Sequence, residues 1–447
     1  MAGVTQPRHA AVQPEVRRSR GEGGRPRLLF LCQTLPYPPD GGVWIRTYHV
    51  LRLLAREFDV TALCFERART SSNGSARDIA NAHAGLSPHA AVEVFALPHK
   101  HSRPRFVWDH LRSAMFGRVY TRYVYESRPF KKRLAELVRS GDFTLVHVDS
   151  LDLARYLPAC RDLPVVCVHH DVESNLLGRR ASLDRVSWRR AYFQHQARLM
   201  DAVEREQCER VALNVTCSEH DRSLLLGKSP RSRVVVVPNG VDVDAFQPVD
   251  GDSAGVAYVG GTTPFPNRDA LDFFCDEILP RLRAAGAQGP MNWIGSASAD
   301  EQRIYRERHG INLTGYVDDV RPLMGAAACH IVPLRTGGGT RLKILNAWAM
   351  GKAVVSTSVG CEGLAAVDGD NILIRDHPAD FAEAVLRVLG NRQLQCELGA
   401  RGRATAERSY SWEAIGRPML DTYLDIARGH SQIPFVSDSA SGRPAHA

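Results

Sequence analysis

The chain has 447 residues, enough for two domains that each bury a core, and its 44% hydrophobic and 24% charged content excludes a fibrous or disordered protein. No run approaches the eighteen or so apolar residues of a membrane span, so no bilayer crossing is expected. The formal net charge of +8 is concentrated in residues 99–133, where ten Lys or Arg stand against two acids. The remainder is close to neutral, and no nucleic-acid partner is expected.

Residues 1–25 mix Pro, Gly and Arg without an apolar segment, which reads as a flexible tail and not a secretory leader. Ten cysteines are scattered singly, with no CxxC pair, and most lie inside apolar runs. That pattern predicts reduced, buried thiols and a cytoplasmic address, with no zinc site or disulfide framework. No metal and no bound cofactor are expected.

Short apolar runs alternate with helical stretches: RLLFLC at 27–32, DVTALCF at 59–65, LVHV at 145–148, PVVCVHH at 164–170, ALNVTCS at 212–218 and RVVVVPNG at 233–240. This βα grammar predicts a parallel sheet covered on both faces. After the turn-marked PNGVDVDAFQP it restarts with VAYVGG at 256–261, MNWIG at 291–295, INLTGYV at 311–317, CHIVP at 329–333 and AVVSTS at 353–358. The fold class read from this is α/β, with two doubly wound Rossmann-like domains facing a cleft. Their expected bounds are 26–237 and 238–411, followed by a helix at 412–428 returning to the first domain and a tail at 429–447.

Ligands of such sheets bind off the carboxyl ends of the strands, so chemistry is sought in the loops there. The stretch TGGGTRLKIL runs a glycine loop into a helix start. Bare glycines permit close backbone approach, Thr340 is placed to cap the helix, and Arg341 and Lys343 add charge to its first turn. Cations in a first turn oppose the helix dipole unless an anion sits there, which points to a phosphate-bearing ligand. A second glycine loop, PPDGGVWIR, follows the first strand and offers Gly41 and Gly42 as backbone contacts.

Four segments in order carry a family resemblance: LCQTLPYPPDGGVWIRTYHVLRLLA; VHHDVESNLLGRRA with ERVALNVTCSEHDRSLL; VVVVPNGVD; and VGGTTPFPNRDALDFFCDEILPRLR with PLRTGGGTRLKILNAWAMGKAVV. Over roughly residues 27–428 the chain resembles GT-B glycosyltransferases of the large retaining group that uses nucleotide sugars, particularly bacterial transferases of exopolysaccharide pathways. The resemblance implies a nucleotide-sugar donor as co-substrate, a carbohydrate or lipid-linked acceptor, and no metal. It assigns the diphosphate to the loop Gly338, Gly339, Thr340, Arg341 and Lys343, and closes Gly41 and Gly42 over it. His170 falls where relatives place a histidine near the transferred sugar, with His169 the competing choice and Asp171 and Glu173 available to an acceptor.

The sequence departs from the family at its paired glutamates, seven residues apart, which fall here on Gly338 and Asn346. An amide offers one acceptor oxygen where a carboxylate accepts from both ribose hydroxyls, a difference of about 1–3 kcal/mol. Glu362 is a candidate replacement carboxylate. The family's Arg and Lys near the first donor-domain strand are reduced to Arg268. Residues 99–133 interleave cations with aromatics, which suits peripheral contact with an anionic membrane on its inner face. Two other readings stay open: a nucleotide-sugar epimerase on the same scaffold, and a non-catalytic scaffold protein.

Overall fold

The computed structural model describes residues 24–39, 41–66, 75–97, 103–184, 186–249, 253–263, 265–337 and 341–429. The predicted tails at 1–25 and 429–447 therefore lie almost wholly outside the described residues. The first part of the chain runs β1 (Arg27–Cys32), α1 (Gly42–Leu54), β2 (Asp59–Phe65), α2 (Ser75–Leu86), β3 (Ala91–Phe95), α3 (Arg103–Phe116), α4 (Thr121–Val124) and α5 (Arg128–Arg139). It continues with β4 (Leu145–Val148), a 3-10 segment, β5 (Val165–His169), α6 (Glu173–Leu183), α7 (Ser187–Gln207), β6 (Leu213–Thr216), α8 (Glu219–Lys228) and β7 (Val234–Val236).

The second part runs β8 (Val256–Val259), α9 (Phe265–Phe273), a π-helical turn, α10 (Leu279–Ala284), β9 (Met291–Ile294), α11 (Ala299–His309), β10 (Asn312–Leu313), α12 (Arg321–Gly325) and β11 (Cys329–Val332). Then follow α13 (Leu342–Ala349), β12 (Ala353–Ser356), β13 (Leu373–Ile374), α14 (Pro378–Leu389), α15 (Arg392–Tyr410) and α16 (Trp412–Ala427).

The strands form two sheets, ordered β3-β2-β1-β4-β5-β6-β7 and β10-β9-β8-β11-β12-β13. All their pairings are parallel. In each the order reverses beside the first strand of its domain, at β1/β4 and at β8/β11, which is where such folds open a crevice. Alternation along β1 sends Leu28 and Phe30 into one core layer and Leu29 and Leu31 into the other. Two strands have no counterpart in the apolar runs: β3, an edge strand interrupted by Glu93, and the two-residue β13. The run at 311–317 contributes only Asn312 and Leu313 to a strand.

The chain crosses between the two sheets twice, side by side. Val241 N donates to Tyr410 O at 2.8 Å, and a Cβ on Gly240 would sit 2.6 Å from the Trp412 ring. After the second crossing α16 lies on the first sheet's side. Trp412 stacks on His49 at 4.7 Å, and Tyr423 OH bonds His147 Nδ1 at 2.9 Å. Arg46 of α1 donates to Pro238 O (3.0 Å) and Asn239 Oδ1 (2.9 Å), tying the first crossing to the same helix. The crossings are thus anchored to α1, whose amino end faces the cleft.

Candidate functional site at the cleft

Two helix starts meet across the cleft. Gly41 is the N-cap of α1 with extended backbone, and a Cβ there would come within 2.7 Å of the Trp44 ring. A Cβ on Gly42 would lie 3.7 Å from Leu342 Cδ1, in the first turn of α13. Neither helix carries an acid in its first turn or a side-chain cap. Both therefore present open backbone amides and a positive dipole end to the same space.

Gly338, Gly339 and Thr340, the expected diphosphate loop and helix cap, lie outside the described residues, and the N-cap position of α13 is Arg341. Arg341 is 6% exposed, and its Nη2 donates to Val359 O at 2.9 Å while approaching Glu362 at 3.9 Å. Gly337, at φ +131°, leaves room for that guanidinium, since its Cβ would sit 3.0 Å from Arg341 Nη1. Lys343 Nζ donates to Tyr258 OH (2.5 Å) and Asn267 Oδ1 (3.2 Å) and lies 4.2 Å over the Tyr258 ring. Burial, reinforced by Arg341, brings its ammonium down to about 7.

Lys343 thus occupies the carboxyl end of β8, where the sequence comparison offered Arg268. Arg268 itself is spent on Glu301 and Tyr305 OH (3.0 Å). Asn346 is half-buried on α13, one turn beyond Lys343 on the same helix face. Glu362 is exposed and lines a cavity with Asp171, Arg179, Ser218 and His220, which places it across from the first domain's loops.

On the opposite wall His169 and His170 part company. His169 is 3% exposed and bonds Asn214 Oδ1 at 2.9 Å inside the sheet. His170 stands 3.5 Å from Asp149 Oδ2 at the carboxyl ends of β5 and β4. Asp149 is buried and accepts from Thr47 Oγ1 at 3.0 Å on both oxygens, from Cys32 Sγ at 3.5 Å, and lies 3.9 Å from His147 Nε2. Burial alone would raise its pKa, but His170 and His147 outweigh that and hold it below the usual carboxylate range. Burial and Asp221 push Asp171 up to about 6, against the pull of His170, Arg179 and Arg341. Glu173 is held well above its ordinary value by burial, Asp152 and Asp171. The N-cap of α6 is Val172, so neither Asp171 nor Glu173 caps that helix.

Two residues that the sequence reading passed over belong here. Asp149 had a signal: an acid directly after the buried LVHV strand, beside β1 where the sheet order reverses. Arg179 had none, because its partner is on the other domain. Its Nη1 donates to Gly337 O at 3.2 Å and its Nη2 to His220 Nε2 at 3.2 Å. The wall formed by the second domain is therefore cationic, with Arg179 added from across the cleft, and the wall formed by the first is carboxylate-rich.

Residues 40–245 match the Glycosyltransferase Family 4 profile and residues 254–391 the Glycosyl transferases group 1 profile, in the order of the two sheets. The chain belongs to the group 1 glycosyltransferases. Among relatives of this family, a D-inositol 3-phosphate glycosyltransferase of Streptomyces bingchenggensis is 26% identical over 232 residues, 45% of this chain and 50% of that protein. A phosphatidyl-myo-inositol mannosyltransferase of Mycobacterium tuberculosis is 25% identical over 229 residues, 46% of this chain and 58% of its own length. The chain spans about half the length of the curated relatives it matches. Anabaena HepE, solved with UDP and with UDP-glucose, shares the GT-B fold. The UDP complex has TM-score 0.62 at 15% identity, covering 89% of this chain and 100% of HepE, and the UDP-glucose complex has TM-score 0.61.

Among the described residues no helix is long and apolar enough to cross a membrane, and no group of three His, Cys, Asp or Glu is arranged to hold a metal ion. Nine of the ten cysteines are buried free thiols and Cys396 is exposed.

Proposed function

We propose that this chain transfers a sugar, with retention at the anomeric carbon, from a nucleoside-diphosphate sugar to a carbohydrate or lipid-linked acceptor in cytoplasmic polysaccharide or glycan assembly. The observation that carries the reading is the meeting of two uncapped helix starts, at Gly42 and Leu342, beside Arg341, Lys343 and Arg179. When the glycosidic bond to the diphosphate breaks, negative charge grows on the leaving group. Preorganised amides and cations at that place stabilise it more in the transition state than in the ground state. The backbone at Gly41, Gly42, Gly338, Gly339 and Thr340 holds the diphosphate, and Arg341 and Lys343 supply the electrophilic charge, so that no metal ion is required. Asn346 makes one hydrogen bond to the ribose, and Glu362 contacts the donor from the exposed side.

His170 faces the transferred sugar and Asp149, 3.5 Å from its Nε2, is its positioning residue, biasing the imidazole's orientation and tautomer through the charge of its carboxylate. Glu173, whose burial beside Asp152 and Asp171 favours its neutral form, and Asp171 receive the acceptor hydroxyls. A carboxylate-rich acceptor wall selects a neutral, hydroxyl-bearing glycan end over a phosphorylated one. UDP is the first base to test. Screening nucleotide sugars against membrane extract, with products read by mass and with a chelator in a parallel sample, checks the whole reading: a mass increase of one sugar, unaltered by chelation, is expected. Turnover of a donor in the absence of any acceptor would instead favour an epimerase.

A further inference from the structure

Helix α3 carries its polar residues inward and its apolar residues outward. Its fully buried positions are Asp109 and Ser113. Asp109 accepts from Arg105 (2.9 Å) and Arg112 (3.4 Å), and Ser113 Oγ accepts from Gln196 Nε2 (2.8 Å) and donates to Arg118 O (2.7 Å). On the outside stand Val107, Trp108, Leu111, Met115 and Phe116, each between 50% and 64% exposed. Leaving that much contiguous apolar area in water is unfavourable by about 25 cal/mol per Å², and such patches mark a surface that something apolar covers.

A second element joins the patch. His110 Nδ1 bonds Tyr192 OH at 2.6 Å and Ser113 pairs with Gln196, so α3 and α7 run parallel in a fixed register. Trp188, one turn before Tyr192, is therefore level with the start of α3, and it is 72% exposed. Cations rim the patch: Arg180, Arg189 and Arg190 are exposed, with Arg189 paired to Asp184 at 3.1 Å and Arg190 donating to the Asp184 carbonyl at 3.2 Å. A second copy of the chain seated on this face would set those arginines against each other, which argues against self-association. An anionic lipid surface satisfies both halves of the pattern, with indoles at the headgroup level and guanidiniums on the phosphates. The tyrosines of the basic segment take a different course, since Tyr123 is buried and Tyr125 packs beside Phe65.

We propose that the shelf formed by α3 and the start of α7 docks on an anionic lipid surface, and that the acceptor is anchored in that surface. The second clause rests on the glycosyl-transfer reading. Helix α6 begins at the cleft with Glu173 and ends near the shelf, and its eleven residues span about 16 Å. That is the reach from the lipid surface to the acceptor wall, so a headgroup-linked glycan end enters the cleft while its lipid stays in the membrane.

The test is co-sedimentation of the full chain with vesicles of phosphatidylcholine alone and of phosphatidylcholine with phosphatidylglycerol, run beside UDP titrations. Binding to the anionic vesicles only, weakened by salt, is expected. Trp108→Ser with Trp188→Ser, and separately Arg189→Glu with Arg190→Glu, should each lower it at least tenfold, with UDP affinity and helical circular dichroism unchanged. Failure to bind anionic vesicles, equal binding by the variants, or a wild-type dimer that the tryptophan variants turn into monomer would overturn the proposal. Loss of UDP binding in the wild type with vesicle binding intact would strike the donor reading and leave the docking surface standing.

Discussion

Asp149 has more partners than a structural carboxylate needs: Thr47 from α1, Cys32 from β1, and two histidines. If it positions His170, Asp149→Asn leaves the fold and UDP affinity within about twofold but lowers kcat by roughly 10–100-fold, because the amide's donor face turns the imidazole to the wrong tautomer. Nitrogen NMR of the His170 ring reads the tautomer directly, and an unchanged spectrum with unchanged kcat would remove the assignment. Lys343 gives a pH signature. Its ammonium, lowered to about 7, is charged in the free protein only below that pH, and a bound diphosphate raises it again. UDP affinity should therefore fall as pH rises above about 7, by up to tenfold per unit. Lys343→Met should weaken binding below pH 7 and flatten the slope. For stability the same group works in the opposite sense: the unfolded chain binds the extra proton between about 7 and roughly 10.4, so its contribution rises with pH across that window. Asn346→Glu should tighten the donor complex by 5- to 150-fold, the equivalent of about 1–3 kcal/mol, as titration against wild type would measure.

At the scale of elements, the strands were legible because buried parallel strands read as unbroken apolar runs, and RLLFLC and DVTALCF have the same bounds in sequence and structure. β3 was hidden by Glu93, a half-buried acid on the edge strand whose carboxylate pairs with Arg133 of α5 at 2.7 Å, a contact no local pattern reveals. The glycine loops were legible as helix starts, but the direction of Lys343 towards Tyr258 and the reach of Arg179 to Gly337 O depend on contacts 85 and 158 residues apart in sequence. No local pattern encodes such contacts. The inverted polarity of α3 was equally hidden, since its periodicity marks a face without saying which side the core lies on. Close packing behind α13 supplies a control for the site variants. A Cβ at Gly399 would collide with the Gly351 carbonyl oxygen, so Gly399→Ala should cost about 1–3 kcal/mol and lower Tm by a few degrees while leaving UDP affinity intact at low temperature. A Tm equal to wild type would contradict that packing.

Across the whole molecule the two walls of the cleft differ in sign. Arg341 and Lys343 stand on one domain's wall, while Asp149 and Asp171 stand on the other, and the two chain crossings run side by side at Val241 and Tyr410. On the proposed reading, that division gives the donor and the acceptor separate electrostatic addresses, with the reaction at their boundary near His170. The most direct test is calorimetric titration of the full chain with UDP, GDP and ADP, repeated on Lys343→Met. One of the three should bind one-to-one with Kd of roughly 10–100 µM and weaken at least tenfold in the variant. Absence of binding by all three at millimolar concentration would contradict the account of this cleft as a nucleotide-sugar site.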